Sequence, residues 1–137
     1  MADPIDEKIK RILIKYKKFT VLGLSPDSKK PSQGVPTYMR SKGYEAVGIY
    51  PGESEISGFK IYESLAAVPK DFRRFVDVFR KSDAIPQVVD EIIKVGGVEV
   101  LWLQLGITHP EAEKRAEAAG IEVISNRCLH IEHHRLF

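Results

Sequence analysis

Ser25, Ser28, Lys29, Lys30 and Ser32 crowd the short segment that follows an apolar run ending at Gly23-Leu24. Hydroxyl and ammonium groups in such a loop donate to anionic oxygens. A glycine at the end of a strand lets the chain turn without a Cβ clash, which leaves backbone N–H groups and the positive end of the next helix facing an anion. The chemistry these types suit is phosphate binding. Each also has a plainer use: Gly23 suits any strand-to-helix turn, and Ser25 and Ser32 are placed to cap. Gln104 is the polar tip of an apolar run and needs a partner, whereas Trp102 inside that run belongs to the core. Cys128 precedes His130, His133 and His134, but Cys-x-His-x-x-His-His is not an established ligand spacing, and the expectation is no metal and an exposed tail. Beside Arg127 the thiol is a candidate reactive group, against the commoner reading of an inert buried cysteine. No Ser/His/Asp order or carboxylate pair stands out, so no catalytic residue is assigned.

The elements that must position these groups alternate. Ile5, Ile9, Ile12, Leu13 and Tyr16 form one helical stripe over residues 5–17. Residues 19–24 read as strand one. A helix then runs to about Lys42 and stops at Gly43, with Pro36 expected in its first turn. Residues 44–50 read as strand two. Beyond a Gly58 turn lie an extended segment, 59–62, and a short helix that Ser64 is placed to cap. Strand three is 74–80, and Ser82 is expected to cap the helix carrying Ile85, Val88, Val89, Ile92 and Ile93. Strand four is 98–105. Thr108-His109-Pro110-Glu111 reads as a capping box for a helix ending at Gly120, and strand five is 121–125.

This alternation predicts a three-layer α/β/α fold with a five-stranded parallel sheet of order 3-2-1-4-5 and a ligand crevice between strands one and four. One domain over residues 1–137 is expected, with the leading helix 5–17 ahead of a sheet region 18–137. Five segments should meet on the carboxyl edge: 25–32, 51–58, 80–84, 105–109 and 126–130. They carry Lys29, Lys30, Arg80, Lys81 and Arg127, a basic rim that suits a polyanion.

A chain of 137 residues buries roughly two-thirds of its unfolded surface. The formal net charge of +2, with the two signs mixed along the chain, gives no nucleic-acid footprint. A single cysteine excludes an internal disulfide and suits a reducing compartment. The charge-dense start is unlike a signal peptide, and no apolar run approaches ~18 residues. A cytoplasmic protein without membrane contact is expected.

NAD is the first ligand to test against such a sheet. Its fingerprint needs G-x-G-x-x-G and an acidic residue ending strand two. The turn here has one glycine, strand two ends in Tyr50-Pro51, and Glu45 sits at the wrong end. That argues against NAD.

The segments Val21-Leu22-Gly23-Leu24-Ser25-Pro26, Asp77-Val78-Phe79-Arg80, Leu101-Trp102-Leu103-Gln104-Leu105-Gly106-Ile107 and Asn126-Arg127-Cys128, followed by Glu132-His133, resemble the small single-domain coenzyme A-binding proteins of bacteria and archaea. More distantly, the chain from Thr20 onward resembles the nucleotide-binding domain at the start of the succinyl-CoA ligase alpha subunit. The resemblance implies a Rossmann-like fold with CoA across the carboxyl edge. It implies phosphate contacts at Gly23, Ser25, Lys30 and Ser32, and contacts along the CoA chain at Pro51, Phe79, Arg80, Lys81, Gln104, Leu105 and Gly106. Relatives usually carry Asn where Tyr50 stands and Arg where Lys30 stands, which trades a bidentate fork for a point charge. Gly52 to Ile56 also depart from the pattern. An altered surface over 38–57, natural or engineered, would suit a protein partner.

The ligase needs a phosphohistidine in a second domain and a partner subunit, and the resemblance covers neither. The expectation is a non-catalytic module that binds CoA or an acyl-CoA to carry or sense it. A dinucleotide oxidoreductase and an interaction scaffold remain the alternatives. The leading helix, or Phe75 with Phe79, offers a surface for a homodimer. Cys128 on the ligand edge is placed for a mixed disulfide with the CoA thiol.

Overall fold

The computed structural model describes residues 3–137. Helix α1 (Pro4–Lys15) starts where the Asp3 carboxylate accepts from Ile5 N, with Pro4 in the first turn, where its missing N–H costs nothing. Its stripe of Ile9, Ile12, Leu13 and Tyr16 is buried as the spacing predicts. The chain continues through β1 (Lys18–Leu22), α2 (Pro31–Ser41), β2 (Glu45–Ile49), β3 (Glu55–Ile56), β4 (Phe59–Tyr62), the single turn α3 (Lys70–Arg73) and β5 (Phe75–Val78). It ends with α4 (Ile85–Val95), β6 (Val100–Leu103), α5 (Pro110–Ala118), β7 (Glu122–Ile124) and α6 (Leu129–Leu136).

The sheet has seven strands in the order β3-β4-β2-β1-β5-β6-β7, parallel except for the β3–β4 hairpin. This corrects the expected five strands and their order. Residues 59–62 form a true strand on the outer side of β2, bonded in parallel at Gly48↔Ile61 and Ile49↔Tyr62. Residues 75–78 therefore lie beside β1, with Val21 facing Asp77. The direction of winding reverses between β1 and β5, so the crevice belongs there rather than one strand further on.

Period-two alternation gives each face its own core. Phe19, Val21, Phe75, Val100, Trp102 and Ile124 pack under α1, α2 and α6, while Val76, Val78, Leu101 and Leu103 pack under α4 and α5. Gly48 has no room for a side chain, since a Cβ there would stand 2.7 Å from Leu24 Cβ and 2.8 Å from Ile61 Cδ1.

Several local expectations change. Pro36 lies inside α2, past its first turn, where it removes the donor that would meet the Ser32 carbonyl. Ser64 precedes a short 3-10 turn without capping it through its side chain. Ser82 caps nothing: its Oγ accepts from Thr108 N at 3.1 Å and joins two loops. At α5 the N-cap is His109, whose Nδ1 accepts from Ala112 N. The box is closed by Glu113, which accepts from His109 N and Thr108 Oγ1 at 2.7 Å each, rather than by Glu111. Finally, the supposed histidine tail is α6, packed between α1 and α2 with Leu129, Glu132 and His133 buried.

Candidate functional site

β1 ends in a turn that only glycine makes comfortably. Gly23 has φ +94°, and a Cβ on it would stand 2.8 Å from the Phe79 carbonyl oxygen. The neighbouring strand is held at that distance because Phe79 N donates to Leu22 O at 2.9 Å. Gly23 thus brings the first loop against the end of β5, at the reversal of winding.

The loop itself is tied by its own polar groups. Ser32 Oγ accepts from Ser25 N, Ser25 Oγ accepts from Asp27 N, and Gln33 Nε2 donates to Ser25 O at 2.9 Å. Ser57 Oγ donates to Gln33 Oε1, which fastens the β3–β4 hairpin to the same loop. Ser25, Ser32 and Gln33 are buried, so their bonds shape the loop as much as they offer donors. Ser32 is the second residue of α2, and the N-cap is Lys30. No side chain caps this N-terminus and its first turn holds no acid. Pro31 has no N–H and Gln33 N donates to Lys30 O at 3.0 Å, so Ser32 N is the first-turn donor left without a partner among the described residues, at the positive end of the helix.

Gly23, Ser25, Lys30, Pro31, Ser32, Tyr50, Phe79 and Arg80 line one polar cleft of about 420 Å³. Pro31 and Phe79 also belong to a second, largely apolar slot of about 370 Å³, completed by Gln104, Leu105, Ile107, Cys128 and Ile131. The two hollows are therefore neighbours that share Pro31 and Phe79 in their walls. A larger hollow, about 690 Å³, lies among Ala66, Arg73, Asp90, Glu91, Lys94 and Val95. It sits at the amino edge of the sheet with both charge signs mixed, away from the crevice.

The slot is built by bonds between the loops that follow β6 and β7. Trp102 is fully buried, and its indole N–H donates to Arg127 O at 2.8 Å. Asn126, at φ +57°, accepts from Gly106 N at 2.7 Å. Gln104 Oε1 accepts from Leu129 N at 3.1 Å, which supplies the partner its buried position demands. Its Nε2 donates to no described residue and keeps some accessible surface. Gln104 lines the slot with that amide unpartnered among the described residues.

Among the expected site residues, Gly23, Ser25, Lys30, Ser32, Phe79 and Arg80 meet in the cleft, and Phe79, Gln104, Leu105 and Cys128 meet in the slot. Pro51, Lys81 and Gly106 stand at the same edge but line neither hollow. The five-cation rim shrinks to Lys30 and Arg80. Arg127 is held by Glu132 at 2.8 Å, and Lys29 and Lys81 are exposed and line neither hollow. Sequence reasoning missed Tyr50, Ile107 and Ile131 as lining residues. Tyr50 was visible as the residue closing strand two, whereas Ile131 depends on α6.

Asp77 lies beneath this floor. It faces Val21 and Trp102 in register, one row below Gly23, Phe79 and Gln104 on the same face. The residue is fully buried, neither carboxyl oxygen has a hydrogen-bond partner among the described residues, and burial raises its pKa well above the usual carboxylate value. The raised pKa favours the protonated carboxyl, which puts no negative charge beneath the polar cleft.

Among the described residues no group of three or more His, Cys, Asp or Glu could hold a metal ion, and no helix is long and apolar enough to cross a membrane.

Comparison with known proteins identifies the family and the fold. Residues 17–134 match the family model described as CoA binding domain. The uncharacterized protein YneT of Bacillus subtilis (strain 168) is 33% identical over 135 residues, 97% of each chain. The structure of cell-free ID.343 from Thermus thermophilus is 36% identical with TM-score 0.86, covering 96% of this chain and 98% of that one. A hypothetical protein from Pyrococcus horikoshii OT3 is 34% identical with TM-score 0.88, covering 99% and 97%. With the match spanning every strand of the sheet and all of α2 to α5, the chain belongs to the CoA binding domain family.

Proposed function

We propose that this protein binds coenzyme A or an acyl-CoA without transforming it, as a carrier or sensor in a reducing, cytoplasmic setting. The observation that carries the reading is that a cleft lined by two cations adjoins an apolar slot, with Pro31 and Phe79 in the walls of both. CoA has the matching two-part chemistry: a phosphorylated nucleotide and a long arm with amides and few charges. The uncapped start of α2, Lys30 and Arg80 would hold phosphate, and Phe79, Leu105 and Ile107 would cover the arm. The unused Gln104 amide would donate to an arm carbonyl. When bound, the cofactor supplies a thiol or thioester, and the chain's residues orient it and shield it from water.

A dinucleotide has no use for the slot, and β2 closes in Ile49-Tyr50 without the acid a ribose needs. A thermal-shift panel of CoA, acetyl-CoA, NAD, NADP, FAD and ADP separates the readings. Ligand at about 100 times its dissociation constant adds about 2.7 kcal/mol, worth several degrees in a domain of this size. CoA and acetyl-CoA are expected to shift the midpoint strongly, ADP weakly and NAD not at all. A shift from NAD that equals or exceeds that from CoA would overturn the assignment, and no shift from any ligand would favour the scaffold.

A further inference from the structure

Cys128 is the only cysteine of the chain. It is partly exposed and lines the apolar slot with Gln104 and Ile131. Its thiol caps nothing, although the residue is the N-cap of α6. Gln104 gives an independent sign that the slot takes a ligand. Only 4% of its surface is exposed, its carbonyl is committed to Leu129 N, and its amide N–H, on a residue that lines the slot, has no partner among the described residues. A molecule anchored by phosphate at Lys30 and Arg80 and laid across Pro31 and Phe79 would carry the far end of its arm towards Cys128. In CoA that end is a thiol.

Resting on the proposed CoA reading, we propose that Cys128 is a modification site, forming a mixed disulfide with CoA held in the slot. The step is thiol–disulfide exchange with CoA disulfide, which itself carries the oxidising equivalent. Cys128 loses its proton, and Sγ attacks one sulfur of the disulfide. The old S–S bond breaks as the Cys128–S–S–CoA bond forms, and the second CoA leaves as a thiolate that takes up a proton. One disulfide is consumed and one is made. Exposed Leu105 and Ile131 leave the slot open for the departing half. The protein would then hold CoA covalently under oxidising conditions and release it on reduction.

The test uses the full chain, CoA disulfide at mildly alkaline pH, and intact-mass spectrometry. The single cysteine assigns any adduct without mutagenesis. The expected result is a gain of one CoA less two hydrogens, reversed by dithiothreitol and suppressed by saturating acetyl-CoA, whose sulfur is blocked. Binding in the slot should make the reaction at least about tenfold faster than with glutathione disulfide, because the reacting sulfurs are held together. Acetyl-CoA binding is measured alongside by titration calorimetry. If acetyl-CoA binds but CoA disulfide gives no adduct, or an adduct whose rate ignores acetyl-CoA, the inference fails and the CoA reading stands. If acetyl-CoA does not bind, both fall.

Discussion

Replacing Asp77 by Asn tests whether a neutral carboxyl lies beneath the cleft. Burial without a partner raises the pKa of Asp77 well above its unfolded value, so the folded state keeps a proton that the unfolded chain releases from about pH 4 upward. The native state then binds more protons than the unfolded one, and stability from this group falls as pH rises towards the folded-state pKa. The slope is about 1.4 kcal/mol per pH unit across that window. Asn has nearly the same shape and does not titrate. The free-energy difference between variant and parent should therefore widen in the variant's favour by about that slope, while every titration they share cancels. The buried amide, itself unpartnered, adds a constant offset of about 1–3 kcal/mol, which moves the line without tilting it. Urea unfolding of both proteins at several pH values between about 4.5 and 6.5 reads the slope directly. Parallel curves would mean that the carboxyl ionises in the fold and has a partner, and the account of the cleft floor would be wrong.

Three further expectations concern the site and its supports. Gly23→Ala should cost about 1–3 kcal/mol in unfolding free energy, because φ +94° strains any side chain and the added carbon meets the Phe79 carbonyl at 2.8 Å. An unchanged denaturation midpoint would contradict that turn. Arg80→Ala should weaken CoA binding by about 1.5–3 kcal/mol, the usual worth of a hydrogen bond to a charged group, and make the affinity less sensitive to salt. Equal salt dependence in calorimetric titrations of both proteins would remove Arg80 from the phosphate site. His133 should titrate below its ordinary value, because burial and then the charges of Lys42 and Lys17 disfavour its cation. Its folded pKa lies below its unfolded one, so the stability linked to it is present above about pH 6.5 and is lost as pH falls below that value. An NMR titration that places its midpoint at or above about 6.5 would refute the packing described for α6.

What could be read from the sequence follows from where its signals are local. The α4 residues Ile85, Val88, Val89 and Ile92 repeat at helical spacing because one face is buried, and the helix lies where that repeat places it. The strand at 59–62 was visible as extended chain, yet four residues with a two-residue partner carry too little pattern to be counted. Its omission displaced residues 75–78 from beside β1, and the sheet order went with it. In the site, Gly23 and Arg80 announce themselves by type just past strand ends, and Lys30 at the start of α2. The fate of Arg127 did not, because its partner Glu132 approaches only once α6 forms. That helix hid behind its histidines: its buried side includes Glu132 and His133, which no hydrophobic pattern marks.

The same helix joins parts of the site that the sheet alone would leave apart. Its first N–H, on Leu129, fixes Gln104 in the slot, and Ile131 forms part of the wall. Glu132, with a side chain only 7% exposed, accepts from Arg127 on the preceding loop and from Arg135 one turn on. Arg135 reaches further, to Asp6 of α1. Exposed ion pairs are worth little singly, so the Asp6–Arg135 contact adds modest stability. Glu132 differs, because a buried carboxylate must keep its partners or suffer a large desolvation penalty. Its need holds Arg127 in place, which keeps that cation out of the polar cleft and orients the turn carrying Cys128. Positive charge is thereby confined to the end of the crevice at Lys30 and Arg80, and the other end stays apolar. A ligand that is anionic at one end only can enter this crevice in a single direction.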